Sequence, residues 1–316
     1  MTADEVRQAL ATGEGPPPGA GRRVRRLAGG WANWTFLVDG RHVVRFPRTE
    51  AVAAATAREL RLLPALRGVL PVPLPRPTWR GLWQGRPWFG YPRLAGRALT
   101  RAPLAERAVR VALGEALGAL HAFPMERAGP LVGIGGDPRV VWQARYVRLA
   151  DTAPAVLAAA LPGTTTQARL TRALTAFGRE AGDFEPVLIH GDLGPEHVLV
   201  GRGLRLGGII DWEDAGLGDP ALDYAGLCRC FGLTVARAVA VAAGRPASDA
   251  FDRRVLAYAW IAVVQDLMHA AALGESGEPW AREAVRVLAR RLAPDRSGHG
   301  PSRPEASAGT DPRSAG

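Results

Sequence analysis

The stretch LIHGDLGPEHVLV, residues 188–200, sets an aspartate and two histidines between two apolar flanks. Short apolar runs bounded by glycine and proline predict strands with a polar loop between them. A second stretch, GGIIDWEDAGLGDPALDYAG at residues 207–226, follows closely. HVLV and LGGIID predict two short strands, with Asp211 at the end of the second. Such a hairpin can bring the side chains of Asp192, His197 and Asp211 to one mouth.

These three side chains suit phosphoryl transfer. A carboxylate on a loop can position a substrate hydroxyl and accept its proton, while a second carboxylate and a nitrogen ligand hold a divalent metal on phosphate oxygens. A His-Gly-Asp triplet alone arises often by chance, and a lone histidine is usually a surface group or a satisfied core group. The hypothesis therefore depends on the second motif lying at the right distance.

The two motifs together resemble the aminoglycoside and macrolide phosphotransferases, the antibiotic-modifying branch of the kinase-like fold. In that family a metal ligand, usually asparagine, follows the catalytic aspartate by five residues. The resemblance implies that Asp192 is the catalytic base and that His197 and Asp211 bind Mg²⁺. The 2″-aminoglycoside and 2′-macrolide members also have histidine at this place. Magnesium prefers oxygen ligands, so His197 either binds it directly or through a water.

Two further residues of these motifs are interpreted as structural support. We expect His190 to order the catalytic loop. We expect Asp219, in the Gly-Asp-Pro triplet, to accept backbone hydrogen bonds from that loop.

The first third of the chain gives an independent test of the resemblance. Kinase-like folds place a base on the third strand, where it contacts the phosphates and pairs with a glutamate on the next helix. Here the stretch is VVRFPR, residues 43–48, so Arg45 takes that place, and Glu59 is its expected partner. The chain contains no lysine. Arginine can pair with carboxylate or phosphate through two nitrogens. The alternative is that Arg45 faces solvent.

The remaining nucleotide contacts rest on weaker signals. Gly29 and Gly30 fall where a turn over the phosphates would lie, although hairpins use paired glycines freely. The segment YPRLAG, residues 91–96, would be the hinge between two lobes, with Tyr91, Arg93 and Leu94 beside the purine. Hinge contacts are made by backbone atoms, so ATP and GTP remain equally possible co-substrates.

The acceptor site is predicted from charge. Residues 211–223 carry five acids, and a cleft floor of this kind would attract an amine-bearing small molecule. We expect the acceptor contacts to come from Glu213, Asp214, Trp260 and Asp266. The apolar residues around Trp260 form a stripe that could equally belong to the core. If some of them face the cleft, a bulky and partly apolar acceptor is favoured.

The order of elements predicts an α+β, two-lobed, protein-kinase-like fold. An antiparallel meander over residues 22–46 and a helix over 50–66 predict a small N-lobe. Helices over 103–122, 164–182, 219–243, 249–273 and 279–292 predict a larger, mostly helical C-lobe. The expected organisation is a flexible or helical lead-in (1–21), an N-lobe that binds nucleotide (22–94), a catalytic and substrate-binding C-lobe (95–292) and a disordered tail (293–316).

Composition narrows the class of protein. The net charge is +10, but residues 1–100 hold 16 arginines and 6 acids whereas residues 101–316 hold 24 of each. The arginines of GRRVRR, with Trp31 and Trp34 nearby, could bind nucleic acid, but such clusters are usually solvated, so no nucleic-acid partner is expected. No apolar run is long enough to span a bilayer, and no leader is evident. Cys228 and Cys230, two apart on one expected helix, suit a reduced cytoplasm.

The leading hypothesis is a magnesium-dependent enzyme that transfers the γ-phosphoryl group of ATP or GTP to a hydroxyl of an aminoglycoside- or macrolide-type molecule, as a monomer or dimer. Two alternatives stay open. One is a kinase of a small metabolite with the same fold. The other is a nucleotide-binding protein without transfer, which the arginine at position 45 and the reduced glycine turn make plausible.

Overall fold

In a computed structural model of the chain, residues 1–16, 20–27, 32–133, 137–180, 184–245 and 248–290 are described. Gly29, Gly30, Trp31 and the predicted tail at 293–316 lie outside these ranges. The strands are β1 Val24–Arg26, β2 Asn33–Val38, β3 His42–Pro47, β4 Trp79–Trp83, β5 Arg86–Pro92, β6 Arg97–Ala98, β7 Val187–Ile189, β8 Val198–Val200, β9 Leu206–Ile209 and β10 Gly216–Gly218.

The helices account for most of the second half of the chain. They are α1 Ala3–Thr12, α2 Glu50–Leu66, α3 Arg101–Ala105, α4 Arg107–His121, α5 Met125–Val132, α6 Pro138–Ala160, α7 Thr165–Glu180, α8 Leu222–Phe231, α9 Leu233–Ala242, α10 Asp249–Ala272 and α11 Glu278–Arg290.

The N-lobe is a five-stranded antiparallel sheet in the order β1-β2-β3-β5-β4. The predicted hairpin turn lies at Asp39 and Gly40, where both φ angles are positive (51° and 70°), as a two-residue turn between twisted strands requires. Helix α1 packs on this sheet through Val6 and Leu10, which share a buried cluster with Trp88. The expected lead-in therefore contains a helix that belongs to the N-lobe.

Helix α2 connects the lobes. It begins and ends where the sequence predicted, with Thr49 capping the first turn through a bond from the Val52 amide. Leu62, Leu63 and Leu66 of α2 join the large buried cluster of the C-lobe. Because α2 also packs on β3 and β5, it contacts both lobes and helps to fix them together.

The C-lobe differs from the prediction in how its helices are divided. The helix expected over 103–122 breaks at Glu106 into α3 and α4, and the helix expected over 219–243 breaks at Gly232, whose φ of 97° excludes a continuous helix. The sequence did not predict α5 or α6. Apolar residues are distributed around α6 rather than along one stripe, and Pro154 inside the helix weakens the helical pattern.

Helix α10 is the centre of the C-lobe. Among the described helices it is the one that is long and apolar enough to cross a membrane, by length and composition only. Over half of its most apolar window is buried against the rest of the fold, which is the arrangement of a core helix. Strands β8 and β9 form the predicted hairpin, and β6 completes a three-stranded sheet in the order β6-β8-β9. Cys228 and Cys230 both lie on α8.

Candidate active site

The catalytic loop follows β7 and is held from below by a buried carboxylate. Asp223, on α8, accepts hydrogen bonds from the backbone N–H groups of His190 (3.0 Å) and Gly191 (2.9 Å) and from the His121 ring (3.0 Å). Burial acts to raise the pKa of Asp223, but these bonds outweigh it and hold the pKa below its ordinary value. Gly191 has a φ of 85°, and a side chain there would collide with the Asp214 carbonyl.

This arrangement corrects the role expected for Asp219. Its carboxylate accepts bonds from the Ala221 amide (2.9 Å), the Arg254 guanidinium (2.8 Å) and the Tyr258 hydroxyl (3.0 Å). It therefore fixes the start of α8 to α10, while Asp223, one turn further along, supports the catalytic loop. Both positions are acids in the same motif, and the spacing alone did not distinguish them.

His190 is fully buried behind the loop. Its Nε2 lies 3.0 Å from the Ile210 carbonyl oxygen, its Nδ1 lies 3.4 Å from the Asp192 amide nitrogen, and its ring packs 4.7 Å from the Trp212 ring. Burial lowers the pKa of His190. The residue links the catalytic loop to the end of β9, which is the position expected of a structural support.

Asp192, His197 and Asp211 converge as the hairpin predicts. The His197 Nδ1 lies 3.7 Å from the Asp192 carboxylate, and its Nε2 lies 3.6 Å from the Asp211 carboxylate. The Asp192 side chain is 64% exposed at the floor of the cleft. Partial burial within the cleft and nearby acids raise the pKa of Asp192 to about 6, against the opposing effect of His197. Asp211 adopts a φ of 69°, an uncommon backbone conformation that aims its side chain into this mouth.

The donor set around His197 fits a divalent cation. The His197 Nδ1 lies 2.7 Å from the Asp192 backbone carbonyl, which can only accept a hydrogen bond. In the neutral ring the proton is therefore on Nδ1, and the Nε2 lone pair faces Asp211. Within the described part of the chain, no group of three or more acidic, histidine or cysteine side chains is arranged to hold a metal ion on its own, so His197 and Asp211 would share the cation with other ligands. Magnesium in kinases commonly takes one or two protein ligands and completes its shell with substrate phosphates and water.

Arg45 lies beside this group and contacts three carboxylates. One guanidinium nitrogen, Nη1, lies 3.0 Å from both Glu59 oxygens, and the other, Nη2, lies 2.5 Å from Asp211 and 2.8 Å from Glu213. Glu59 also accepts the Trp212 amide (3.2 Å). Burial raises the pKa of Glu59 to about 7, and the contact with Arg45 opposes that rise. The expected Arg45–Glu59 pair is thus present, and Arg45 does not face solvent.

A cleft of about 630 Å³ extends from Arg45 across the catalytic loop to helices α6, α8 and α10. Asp214 and Asp266, two of the predicted acceptor contacts, line it, and Asp266 is paired with Arg229 at 2.6 Å. Glu213 also lines the cleft, but its carboxylate is turned toward Arg45 and Asn33. It therefore points away from the end of the cleft lined by α8 and α10, here called the acceptor end.

Trp260 is buried in the C-lobe core and does not line this cleft, which corrects its predicted role. Successive residues of a helix are 100° apart, so Trp260 lies about 200° around α10 from the cleft-lining Tyr258. The cleft-lining residues that sequence reasoning did not find include Arg145 and Tyr146 on α6, because that helix itself was not predicted.

The predicted hinge residues lie at the end of β5. Tyr91 is buried and stacks on Phe89 with ring centroids 5.9 Å apart, and the Arg93 amide donates to the Arg41 carbonyl at 2.7 Å. Neither these residues nor Leu94 line the cleft. The Arg93 amide is already bonded within the N-lobe. The nucleotide contacts of this segment stay a prediction.

Comparisons with known proteins identify the family of the chain. The family model of the phosphotransferase enzyme family, APH, matches residues 23–259. Viomycin phosphotransferase of Streptomyces vinaceus is 33% identical over 94 residues, which span 29% of this chain and 32% of that relative. The chain thus matches about a third or less of the curated relatives' own lengths.

Two solved structures match over nearly their whole length. The GDP complex of wild-type aminoglycoside 2'-phosphotransferase-IIIa has a TM-score of 0.78 and 27% identity, covering 93% of this chain and 99% of that one. Macrolide 2'-phosphotransferase type I has a TM-score of 0.65 and 21% identity, covering 91% and 98%. The family model spans most of this chain and includes the catalytic loop, Arg45 and Asp211. The chain therefore belongs to the phosphotransferase enzyme family and has its kinase-like fold.

Proposed function

We propose that this phosphotransferase moves the γ-phosphoryl group of ATP or GTP onto a hydroxyl of an amine-bearing small molecule of the aminoglycoside or macrolide type. One observation carries the proposal. Asp192 presents an exposed carboxylate at the cleft floor, and His197 bridges the short distance from it to Asp211. A base for the acceptor and a pair of cation ligands thus occupy one mouth, which phosphoryl transfer requires.

Three residues of the chain have distinct roles in the proposed transfer. Asp192 accepts a hydrogen bond from the acceptor hydroxyl and orients the hydroxyl oxygen toward the γ-phosphorus. As the new P–O bond forms, Asp192 receives the hydroxyl proton, the bond from the γ-phosphorus to the β–γ bridging oxygen breaks, and ADP or GDP leaves. Asp223 keeps the backbone of this loop fixed through two N–H bonds. Arg45 supplies positive charge to the phosphates from the N-lobe side.

We infer that magnesium is the metal and that His197 and Asp211 hold it together with the nucleotide. When bound, the cation neutralises charge on the phosphate oxygens. The imidazole is an unusual partner for a cation that prefers oxygen, so Mn²⁺, which accepts nitrogen more readily, should also support activity.

The acceptor end of the cleft supports an amine and a partly apolar body. Asp214 and Glu196 are exposed there, and their charges would attract an ammonium group. Leu222, Ala225 and Ile261 line the same end. A GDP complex of an aminoglycoside phosphotransferase among the similar structures supports the nucleotide and the acceptor class.

The test is transfer by the wild type and by Asp192→Asn, with ATP or GTP and Mg²⁺, to a panel of kanamycin, erythromycin, viomycin and choline. Removing a general base should lower kcat by about 10²–10⁴-fold, while calorimetry should show nucleotide affinity near that of the wild type. Glu185→Gln, an exposed charge change on the C-lobe surface, is the matched control.

Full activity in Asp192→Asn would remove the base assignment. Transfer to choline alone would favour the metabolite kinase, and tight nucleotide binding without transfer to any acceptor would favour a binding protein without kinase activity.

A further inference from the structure

Arg45 uses its two terminal nitrogens for different lobes. Nη1 pairs with Glu59 of the N-lobe, and Nη2 contacts Asp211 and Glu213 of the C-lobe. The Arg45 side chain is only 6% exposed. A lysine has one nitrogen on a flexible stem and could not hold both groups with a fixed geometry. The contact to the C-lobe is therefore a consequence of having arginine at this position.

Glu213 has a second partner on the N-lobe. Its Oε2 accepts a hydrogen bond from the Asn33 side-chain amide at 2.6 Å as well as from Arg45. Asn33 and Arg45 lie on adjacent strands, β2 and β3, and all three side chains line the cleft. The Glu213 side chain is 13% exposed. Glu213 thus joins the segment after Asp211 to strands β2 and β3. These strands line the end of the cleft that contains Arg45, here called the phosphate end.

Glu213 also makes Arg45 less dependent on Asp211, whose two carboxylate oxygens face different partners. The Oδ1 of Asp211 contacts Arg45, and its Oδ2 faces His197 at 3.6 Å. Without Glu213, Nη2 would depend on Asp211 alone, since Nη1 is committed to Glu59. With Glu213 present, Arg45 keeps an anionic partner in the C-lobe whatever else the Asp211 carboxylate binds.

We propose that Glu213 is a positioning residue that holds Nη2 of Arg45 through one of its two hydrogens, so that the other, which Asp211 accepts in this structure, can be donated to the nucleotide phosphates once Asp211 binds the cation. The chain needs Glu213 because position 45 is arginine rather than lysine. The inference rests on the proposed function, because it requires that a nucleoside triphosphate binds beside Arg45. Glu213 acts through Arg45 and touches neither the phosphate nor the acceptor.

The test is a double-mutant cycle on the full chain. Calorimetry measures the Kd of Mg·ATP and Mg·GTP, over a series of Mg²⁺ concentrations up to saturation, for the wild type, Glu213→Gln, Arg45→Lys and the double variant. A hydrogen bond to a charged group is worth enough that Glu213→Gln should weaken binding about tenfold when Arg45 is present. In the Arg45→Lys background the same change should have little effect. Glu185→Gln again controls for the loss of one negative charge.

Two results would overturn the proposal. An equal loss in both backgrounds would show that Glu213 does not act through the second nitrogen of Arg45. A loss that disappears on raising the Mg²⁺ concentration would make Glu213 a metal ligand instead. If the wild type binds neither nucleotide, the proposed function fails. If the wild type binds and the cycle is additive, only the inference about Glu213 fails.

A second variant keeps the test decisive if thermal unfolding shows that Arg45→Lys does not fold. Asn33→Ala removes the other bond to Glu213 and leaves Arg45 unchanged. It should weaken nucleotide binding, and adding Glu213→Gln should cause less further loss than Glu213→Gln causes alone. Unchanged binding in Asn33→Ala, or additive losses, would overturn the proposal.

Discussion

The two ends of the cleft handle charge in opposite ways. At the phosphate end, Arg45 is almost fully buried and shared among three carboxylates from both lobes. At the acceptor end, Arg229 and Asp266 form a single pair at 2.6 Å, and their side chains are 24% and 40% exposed. Both ends are lined by ion pairs, but water screens only the second strongly.

This difference matches what each end is proposed to recognise, the triphosphate at one and the acceptor at the other. A buried network is costly to rearrange, because removing one member leaves another charge without its partner in a poorly solvated place. Such rigidity suits the triphosphate, which is the same in every turnover. A half-exposed pair contributes less to stability than a buried one and can exchange partners at small cost. The acceptor end can therefore adapt to its ligand while the phosphate end cannot.

The largest expected effect comes from removing a charge at the phosphate end. Asp211→Asn should lower the affinity for Mg·nucleotide by at least about 100-fold, because it removes a carboxylate that magnesium prefers and a partner of Arg45. Calorimetry with and without Mg²⁺ measures this change. Without Mg²⁺ the variant should bind nucleotide about as weakly as the wild type does. Asp214→Asn, an exposed acid three residues away, is the control, and an equal loss there would contradict the comparison.

A smaller effect, on the free energy of unfolding, should distinguish the buried ion pairs of the phosphate end from the half-exposed pair of the acceptor end. Glu59→Gln keeps the shape of the side chain but removes its charge from Arg45, and we expect the free energy of unfolding to fall by about 2 kcal/mol, as for a hydrogen bond to a charged group. Arg45 keeps two other carboxylates, which limits the loss. Denaturant unfolding of the apoprotein measures it. A cost no larger than that of Asp266→Asn would remove the distinction between the ends.

The parts of this molecule that sequence could predict are local. The spacing of Asp192, His197 and Asp211 within one hairpin fixes their convergence, because few geometries connect two short strands. The Asp-Gly turn and helix α2 likewise depend on neighbouring residues. Arg45 and Glu59 are distant from that hairpin in sequence, and only the resemblance to known phosphotransferases placed them in the same site.

The parts that could not be predicted depend on contacts between distant segments. Asp219 and Asp223 are both acids near the start of α8, and only the packing of α4 against this region, which brings His121 to Asp223, decides which one supports the loop. Glu213 accepts a hydrogen bond from Asn33, which is 180 residues away in sequence. The residues next to Glu213 therefore could not predict that its side chain points toward the N-lobe and away from the acceptor. The burial of Trp260 depends on which side of α10 the cleft lies.

The smallest expected effect lies at the acceptor end, where Arg229 and an acceptor amine would compete for Asp266. Arg229→Gln should lower the KM for an amine-rich acceptor such as kanamycin by about threefold, and Asp266→Asn should raise it by a similar factor, because an ion pair that water can reach is worth only about 1 kcal/mol. Neither change should alter nucleotide affinity or the melting temperature appreciably. Steady-state kinetics at saturating nucleotide measures both. If the KM moves in the same direction in both variants, the pair acts as a structural unit of α8 and α10, and the acceptor end is as rigid as the phosphate end.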